Sequence, residues 1–423
     1  MKRLSIFLFI FILSLFKAQK FSEYFEDKTL RLDYIFAGNA QQQYAFVNEL
    51  VELKGWYGRK TELKTTPIQG DGQIKVYDSE TQQLIYVIAF GTLFQEWTTL
   101  DEAKNNNKSF ENTFLVPYPK KKIDIQVSFF DKKQNEKIIL KHHVDPTDIL
   151  IRKTVTKGIP TETIHKAKVK NPIYIAFLAE GYQEHEMPEF IEYSKKTIQY
   201  LFNHEIFNKY KDRFEFIAVK SPSKDSGITQ PSKNIWKSTA VNSNFDTFYA
   251  ERYLTNSHIF KMQNLLEDVP YQHIIILANT DIYGGGGILN GYLLATTKNS
   301  SFAPVIVHEF GHSFGALADE YFYENDIFDP SGDSKIEPWQ KNITSLVDFE
   351  SKWKHLVDKK TPIPTPAEKS TKYKIGAYEG LKGNGLYIPT LTCRMKINNT
   401  KDFCTVCSNA LEEIILHYTS EEK

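Results

Sequence analysis

The sequence has 423 residues, with 52 Lys and Arg against 52 Asp and Glu and a hydrophobic fraction of 41%. This length predicts about two or three domains, and the apolar content excludes wholesale disorder. A formal net charge of zero and the lack of a long basic run argue against nucleic acid as a partner. Three cysteines are too few for a scaffold built on disulfides.

Residues 1–18 have the pattern of an export signal. Lys2 and Arg3 precede an apolar run over 4–16, and Ala18 is a suitable residue for cleavage. A run of about thirteen residues is too short to span a bilayer but has the length of a signal h-region. The alternative is a buried N-terminal helix or a membrane anchor. Since no later segment is apolar enough to span a membrane, we expect a soluble mature protein that is exported, either periplasmic or secreted.

Residues 19–145 alternate polar and apolar side chains in short runs, a pattern typical of strands. The predicted strands include two hairpins and one further strand, over 73–77 with 84–90, 123–130 with 137–144, and 29–36. Short strands at this spacing predict an all-β sandwich. No catalytic pattern is visible in this domain, and a contact with a glycan or another protein is the role left open for it.

Residues 146–172, rich in Lys and Thr with three prolines, predict a linker to a second domain over 173–423. In that domain apolar runs alternate with helical periodicity. The expected strands cover 173–178, 214–219, 273–278 and 288–297, and the expected helices cover 187–202, 245–266 and 406–418. This alternation favours an α/β arrangement of three layers.

The motif His308-Glu309-Phe-Gly-His312 is the most informative segment. On a helix the two histidines lie one turn apart on one face, so both imidazoles can reach a single ion. Two histidines and one carboxylate are a common catalytic set for zinc. Glu309 is placed to accept a proton from water, whose pKa a zinc ion lowers to about 7. The motif therefore predicts one catalytic Zn²⁺ ion with Glu309 as the general base.

The third metal ligand is expected from the acidic pair that follows the motif. Asp319 lies seven residues after His312 and, on a continuous helix, would be about 10 Å too far along the axis. A chain reversal near Gly315 would bring it back to the ion. We expect Asp319 as the ligand, with Glu320 as the competitor; either acid could instead orient a histidine.

Several further segments, in this order, resemble the IgA-peptidase family of zinc metalloendopeptidases. They are FLAEGYQEHEM at 177–187, YKDRFEFIAVKSPSKDSG at 210–227, the glycines at 284–287, HEFGHSFGALADEY at 308–321, EPW at 337–339, YEG at 378–380 and CRM with FCTVC within 393–407. The resemblance covers about 170–418, and the N-terminal region resembles the accessory β domain of that family.

The resemblance implies a zincin-like α+β catalytic domain, with a mixed sheet and the motif on the active-site helix. It also implies zinc at His308 and His312, Glu309 as the base, and Met395 in a methionine turn beneath the metal; the alternative is an ordinary core methionine. The metzincin pattern places its third ligand at position 318, which is Ala318 here. This departure leaves the third ligand open.

In zincins, a strand before the active-site helix pairs with the extended substrate. Gly285, Gly286 and Gly287 are the candidates for this role, because glycines permit a close backbone approach. The alternative is a flexible loop without substrate contact.

Tyr321 and Tyr387 are candidates for stabilising the oxyanion of the tetrahedral intermediate.

Cys393, Cys404 and Cys407 lie within fifteen residues. In an exported chain they favour one disulfide and one spare thiol, in which Cys393 pairs with Cys404 or Cys407. A structural zinc on three thiolates lacks an evident fourth ligand in the sequence.

Together these patterns predict an exported zinc endopeptidase acting on protein or peptide substrates. Two alternatives share the same residues. One is a metal-dependent hydrolase of another amide, such as a cell-wall peptide. The other is a binding or adhesion protein that retains the zincin fold without catalysis, which the intact Glu309 argues against.

Overall fold

The computed structural model describes residues 20–321, 334–381 and 385–421. The predicted signal segment, 1–18, lies outside these residues. Within the described ranges, no helix combines the length and the apolar character needed to cross a bilayer.

The N-terminal domain is a β-sandwich, as the alternating pattern predicts. Its elements are α1 (Phe21–Tyr24), β1 (Phe25–Gly38), β2 (Gln43–Lys54), β3 (Gly72–Asp78), β4 (Leu84–Phe90), α2 (Leu93–Thr98), β5 (Lys108–Pro119), β6 (Ile123–Phe130), β7 (Glu136–Val144) and the short β8 (Arg152–Lys153). One sheet has the strand order β5-β1-β2-β8 and the other β4-β3-β6-β7. The aromatic rings of Phe36, Phe90 and Phe114 pack together in the core of this domain.

Both predicted hairpins are confirmed, since β3 pairs with β4 and β6 with β7 in antiparallel register. The segment predicted as a linker, 146–172, adds one short strand to each domain. Strand β8 (Arg152–Lys153) pairs with β2, and β9 (Thr161–His165) pairs with β11 (Phe214–Val219). The connection is therefore hydrogen-bonded to both domains.

The second domain is built on a six-stranded sheet among the described residues. Besides β9 and β11, the elements of the domain are β10 (Ile173–Glu180), α3 (Met187–Phe202), α4 (Glu205–Lys209), α5 (Ile259–Leu265), β12 (His273–Ala278), β13 (Gly285–Ile288), β14 (Tyr292–Thr296), α6 (Phe302–Ser313), β15 (Tyr378–Leu381), β16 (Leu386–Ile388) and α7 (Thr405–Thr419). The sheet has the order β13-β14-β12-β10-β11-β9. Its inner strands run parallel, while β13 and β9 at the two edges run antiparallel to their neighbours.

The two faces of this sheet are covered differently. Helices α3, α6 and α7 pack on one face, against the alternating side chains of Ile173, Ile175 and Phe177. The opposite face packs against the irregular segment 228–271, which includes α5, and against residues of the N-terminal domain such as Leu93. The mixed sheet with helices gathered on one face is the α+β fold expected from the resemblance, rather than three regular layers.

Two expected elements differ from the structure. The helix predicted over 245–266 is reduced to α5, because Asp246, Phe248 and Tyr249 have φ values of 62°, 54° and 66°, which no right-handed helix contains. The strand predicted over 288–297 is instead the end of β13, a turn and β14, which form an antiparallel hairpin.

Candidate metal centre

Helix α6 carries the HExxH motif as a buried element. Its residues Val305, Ile306 and Phe310 are core side chains, and they pack the helix against the sheet and α3. The chain reverses soon after the helix ends, where Ala316 adopts a φ of 52° in the left-handed region. The predicted break near Gly315 thus falls one residue later. It directs the following acidic pair back towards the histidines.

Three side-chain atoms converge beside α6. The Nε2 atoms of His308 and His312 lie 3.0 Å apart, and the Oδ1 atom of Asp319 lies 3.0 Å from the first and 3.2 Å from the second. Ligands of a tetrahedral zinc ion, each about 2.0–2.1 Å from the metal, lie about 3.3–3.4 Å from one another. The three atoms therefore have the spacing of one face of a zinc tetrahedron.

The backbone fixes the orientation of both imidazoles. His308 Nδ1 lies 3.1 Å from the carbonyl oxygen of Arg394, and His312 Nδ1 lies 2.6 Å from that of Leu317. A carbonyl only accepts, so each Nδ1 carries the proton and each Nε2 presents its lone pair to the centre. Hydrogen bonds of this kind orient histidine ligands at metal sites.

The electrostatics of the three groups favour a positive charge between them. Burial lowers the pKa of His312, but the Asp319 carboxylate outweighs this and raises that pKa to about 9. Burial raises the pKa of Asp319, yet the two histidines hold it well below its usual range. Because the Asp319 side chain is 42% exposed, the centre is also open to solvent on one side, as a catalytic site requires.

Glu309 lies between the helix and the glycine strand β13. A Cβ atom on Gly285 would lie 3.1 Å from one of its carboxylate oxygens, and one on Gly287 would lie 3.2 Å from the other. Burial raises the pKa of Glu309, with His308 and His312 opposing the shift. A carboxylate with a raised pKa beside the metal ligands is suited to accept a proton and return it.

Two family models match the chain. The model of IgA peptidase M64 matches residues 163–374, and that of the peptidase M64 N-terminus matches residues 20–141. The chain belongs to the M64 peptidase family. No curated protein matches the sequence.

Within the M64 catalytic domain, Met395 lies directly against the active-site helix. Its side chain is buried, and a Cβ on Gly311 would lie 2.5 Å from its sulfur atom. A larger residue at position 311 would therefore displace the Met395 side chain. The methionine turn stays a prediction.

Asp319 and Glu320 point to different places. Asp319 reaches the two histidines, whereas the buried Glu320 Oε1 lies 3.1 Å from the sulfur of Cys407. The structure therefore brings Asp319, and not Glu320, to the two histidines.

The glycine strand has a structural explanation besides the predicted contact with substrate. A Cβ on Gly287 would lie 2.6 Å from the backbone oxygen of Glu309, so this residue must be glycine for α6 to pack here. Tyr253 forms a bridge to the outer edge of β13 at Gly285, and Gly286 faces the backbone oxygen of Leu254. Only Gly287 lines the cleft beside the centre. The substrate contact of the three glycines stays a prediction.

The two tyrosines lie in different surroundings. The ring of Tyr321 is 5.8 Å from that of His308. Tyr387, in β16, instead packs against the small cluster around Trp353. The structure therefore brings Tyr321, and not Tyr387, to the histidines.

The M64 N-terminal domain contributes to the same cleft, which sequence reasoning missed. Asp71, Thr92 and Glu96 line it together with His312, Asp319 and Trp339, around a volume of about 230 Å³. Burial raises the pKa of Asp71 to about 6 and that of Glu96 to about 7. The accessory domain thus places two carboxyl groups in the wall of the candidate active site. No local motif marks these residues; only the packing of the domains reveals them.

The three cysteines are thiols in this structure. The sulfur atoms of Cys393 and Cys407 lie 3.6 Å apart, far beyond the length of about 2.05 Å of a disulfide bond. The expected disulfide is therefore not formed.

Proposed function

We propose that the chain is an exported zinc endopeptidase, in which His308, His312 and Asp319 hold one catalytic ion. The observation that carries the proposal is the meeting of their three ligand atoms within 3.2 Å, with both Nδ1 atoms directed at carbonyls. Membership of a peptidase family supports peptide bonds as the substrate. Export is supported by the pattern of residues 1–18.

When bound, zinc would polarise the scissile carbonyl and lower the pKa of the attacking water. The residues of the chain then perform the proton transfers. The Glu309 carboxylate accepts a proton from water as the water oxygen bonds to the carbonyl carbon. Glu309 then donates that proton to the amine nitrogen as the C–N bond breaks. The ring of Tyr321 beside His308 is a candidate donor to the oxyanion.

Cleavage of a mixed peptide library, followed by mass spectrometry, tests this function. We expect the wild type to release internal fragments and Glu309→Gln to lose cleavage by at least about 10³-fold, while it retains zinc in full. Such a loss is of the order expected when a group essential to proton transfer is removed. His312→Ala should lose the catalytic ion itself.

The exposed Glu184 supplies a matched control, because Glu184→Gln makes the same chemical change on a side chain that does not line the cleft. It should cleave as the wild type does. Full turnover by Glu309→Gln would remove Glu309 from the mechanism, and full zinc affinity in His312→Ala would overturn the ligand assignment. Cleavage by neither the wild type nor Glu184→Gln would favour the non-catalytic binding alternative.

A further inference from the structure

A second group of potential metal ligands lies beneath the first. Glu320, Cys393, Cys404 and Cys407 each offer one ligand atom, and these atoms all lie within 4.8 Å of one another. Sulfur ligands about 2.3 Å from a tetrahedral zinc ion lie about 3.8 Å apart. The separation of 3.6 Å between the Cys393 and Cys407 sulfurs is close to that value.

The carboxylate of Glu320 is the fourth member of this group. Its side chain is completely buried, and Oε2 has no hydrogen-bond partner among the described residues. An ionised carboxylate oxygen is costly to bury without a partner. The same side chain lies 3.1 Å from the Cys407 sulfur through Oε1, which also accepts from the Asn342 amide at 3.0 Å. A cation beside the carboxylate would provide the partner that Oε2 lacks.

The surrounding donors suit thiolates. The N–H of Cys404 points to the sulfur of Cys393 at 3.3 Å, and the N–H of Cys407 points to that of Cys404 at 3.5 Å. Cys404 is also the N-cap of α7, where the helix dipole favours negative charge. Three thiolates and one carboxylate with a divalent ion would carry a net charge of −2. The ammonium of Lys396, which donates to the Glu320 backbone oxygen at 2.9 Å, offsets part of it.

We propose that Glu320, Cys393, Cys404 and Cys407 bind a second, structural divalent metal ion, for which zinc fits best. All four ligands come from the protein and three are buried, so the site is closed, unlike the solvent-open centre at His308. Thiolate donors disfavour Mg²⁺ and Ca²⁺, which prefer oxygen, and the carboxylate disfavours Cu⁺, which prefers soft ligands alone. In an exported chain, a bound metal would also protect these thiols from oxidation.

This second site would fix parts of the first. Glu320 directly follows Asp319, and its N–H donates to the Met395 carbonyl oxygen at 2.9 Å. Cys393 lies one residue before Arg394, whose carbonyl accepts from His308. An ion shared by these segments and the start of α7 would therefore help to position three parts of the first site. These are Asp319, the Arg394 carbonyl that orients His308, and Met395.

Metal content and cobalt spectra test the site without reference to catalysis, so failure of the peptidase proposal would leave this test intact. We expect the mature wild type to bind two zinc equivalents, His312→Ala one, and the double variant Cys404→Ser/Cys407→Ser one. With Co²⁺, the wild type and His312→Ala should show thiolate-to-cobalt charge-transfer absorption in the near ultraviolet. The double cysteine variant should lack it.

Two further measurements keep the test decisive if the cysteine variant does not fold. Glu320→Gln should retain the charge-transfer band but bind zinc at least about 10-fold more weakly than Glu184→Gln. Alkylation of the denatured, unreduced wild type after chelation should modify all three cysteines. No zinc in His312→Ala, no thiolate-to-cobalt band, or only one alkylated cysteine, as a disulfide would give, would each overturn the proposal.

Discussion

His273, the first residue of β12, is a neutral histidine enclosed by aromatic rings. It is 6% exposed, and its ring lies edge-on to those of Phe314 and Tyr418 at 5.1 and 5.4 Å. Its Nε2 atom has no hydrogen-bond partner among the described residues. Burial lowers the pKa of His273 to about 3, from about 6.5 in an unfolded chain. Folding therefore requires this residue to be neutral.

This pKa shift predicts a loss of stability in acid. Between about pH 6.5 and pH 3 the unfolded chain binds a proton at His273 that the folded chain does not, so the free energy of unfolding falls as the pH drops through this range. Each such proton adds about 1.36 kcal/mol per pH unit to the slope of the free energy of unfolding against pH. We expect His273→Phe, which keeps an aromatic ring in the pocket, to reduce this slope by up to about one proton.

Urea denaturation at intervals from pH 7 to pH 4 measures the slope. The exposed His185 provides the control, because His185→Gln should leave the slope at its wild-type value. An unchanged slope in His273→Phe would mean that the residue does not titrate differently on folding.

At the scale of elements, the contact of β13 with α6 sets the position of Glu309. A methyl group on Gly287 would meet the rigid backbone oxygen of Glu309 at 2.6 Å and the Cβ of His312 at 3.1 Å, so the helix and strand must separate. We expect Gly287→Ala to lower kcat/KM for peptide cleavage by at least about 10-fold, since displacements near 1 Å at a catalytic group have effects of this size or larger.

Gly291, in the turn after the same strand, gives a matched comparison. The three atoms nearest to a Cβ there all belong to Ile288, and the closest is a side-chain methyl at 3.1 Å. Gly291→Ala should therefore retain most of the cleavage rate. Equal rates for the wild type and Gly287→Ala would show that the strand can move without disturbing the site.

The regular elements of the catalytic domain were largely predictable from local pattern. The strands over 214–219 and 273–278 and the helix over 187–202 have the observed bounds, because apolar periodicity and burial agree there. The helix predicted over 245–266 failed where the left-handed residues 246, 248 and 249 break an otherwise apolar periodicity. Such backbone angles depend on the packing of the segment against β13 and are not visible in composition.

The site was predictable only as far as its ligands are close in sequence. Helical spacing predicts that His308 and His312 are neighbours. Asp319 reaches them only because the chain reverses after the helix, and the nearby Gly315 indicates where. By contrast, Glu320 meets cysteines more than seventy residues away, and Glu96 enters the cleft from another domain. Contacts of this kind are created by the fold, so a single sequence without its partners in space does not reveal them.

At the scale of the whole molecule, the two domains share their interior. Leu93, Phe110 and Leu115 of the N-terminal sandwich pack in the same apolar cluster as residues of β10, β12 and α5. Ile68 and Ala89 join the cluster beneath the active-site helix. Because these clusters cross the boundary between domains, we expect the domains to unfold as one cooperative unit.

A buried ion cluster at this boundary makes the expectation testable. Arg31 of β1 is fully buried and binds Asp33 through two hydrogen bonds of 2.8 and 2.6 Å, while its third nitrogen faces Glu267 of the catalytic domain at 3.5 Å. Glu267 is 4% exposed and also accepts from Arg152 at 2.9 Å. Removal of this carboxylate would leave the buried Arg31 with Asp33 as its remaining acidic partner, and the Arg31 nitrogen that faces Glu267 without a carboxylate.

We expect Glu267→Gln to lower the free energy of unfolding by about 1–3 kcal/mol, the usual cost of leaving a buried polar group without its partner. Unfolding should remain a single transition shifted to lower urea concentration, because the sandwich and the catalytic domain lose the same contact.

Glu192→Gln, which breaks the exposed pair with Lys196 on α3, should change the free energy of unfolding by less than about 0.5 kcal/mol. Fluorescence and circular dichroism recorded across the same urea series would decide the matter. If Glu267→Gln unfolded in two separated steps, the domains would be independently stable, and the carboxyl groups of the sandwich would be held in the catalytic cleft by weak docking rather than by a shared core.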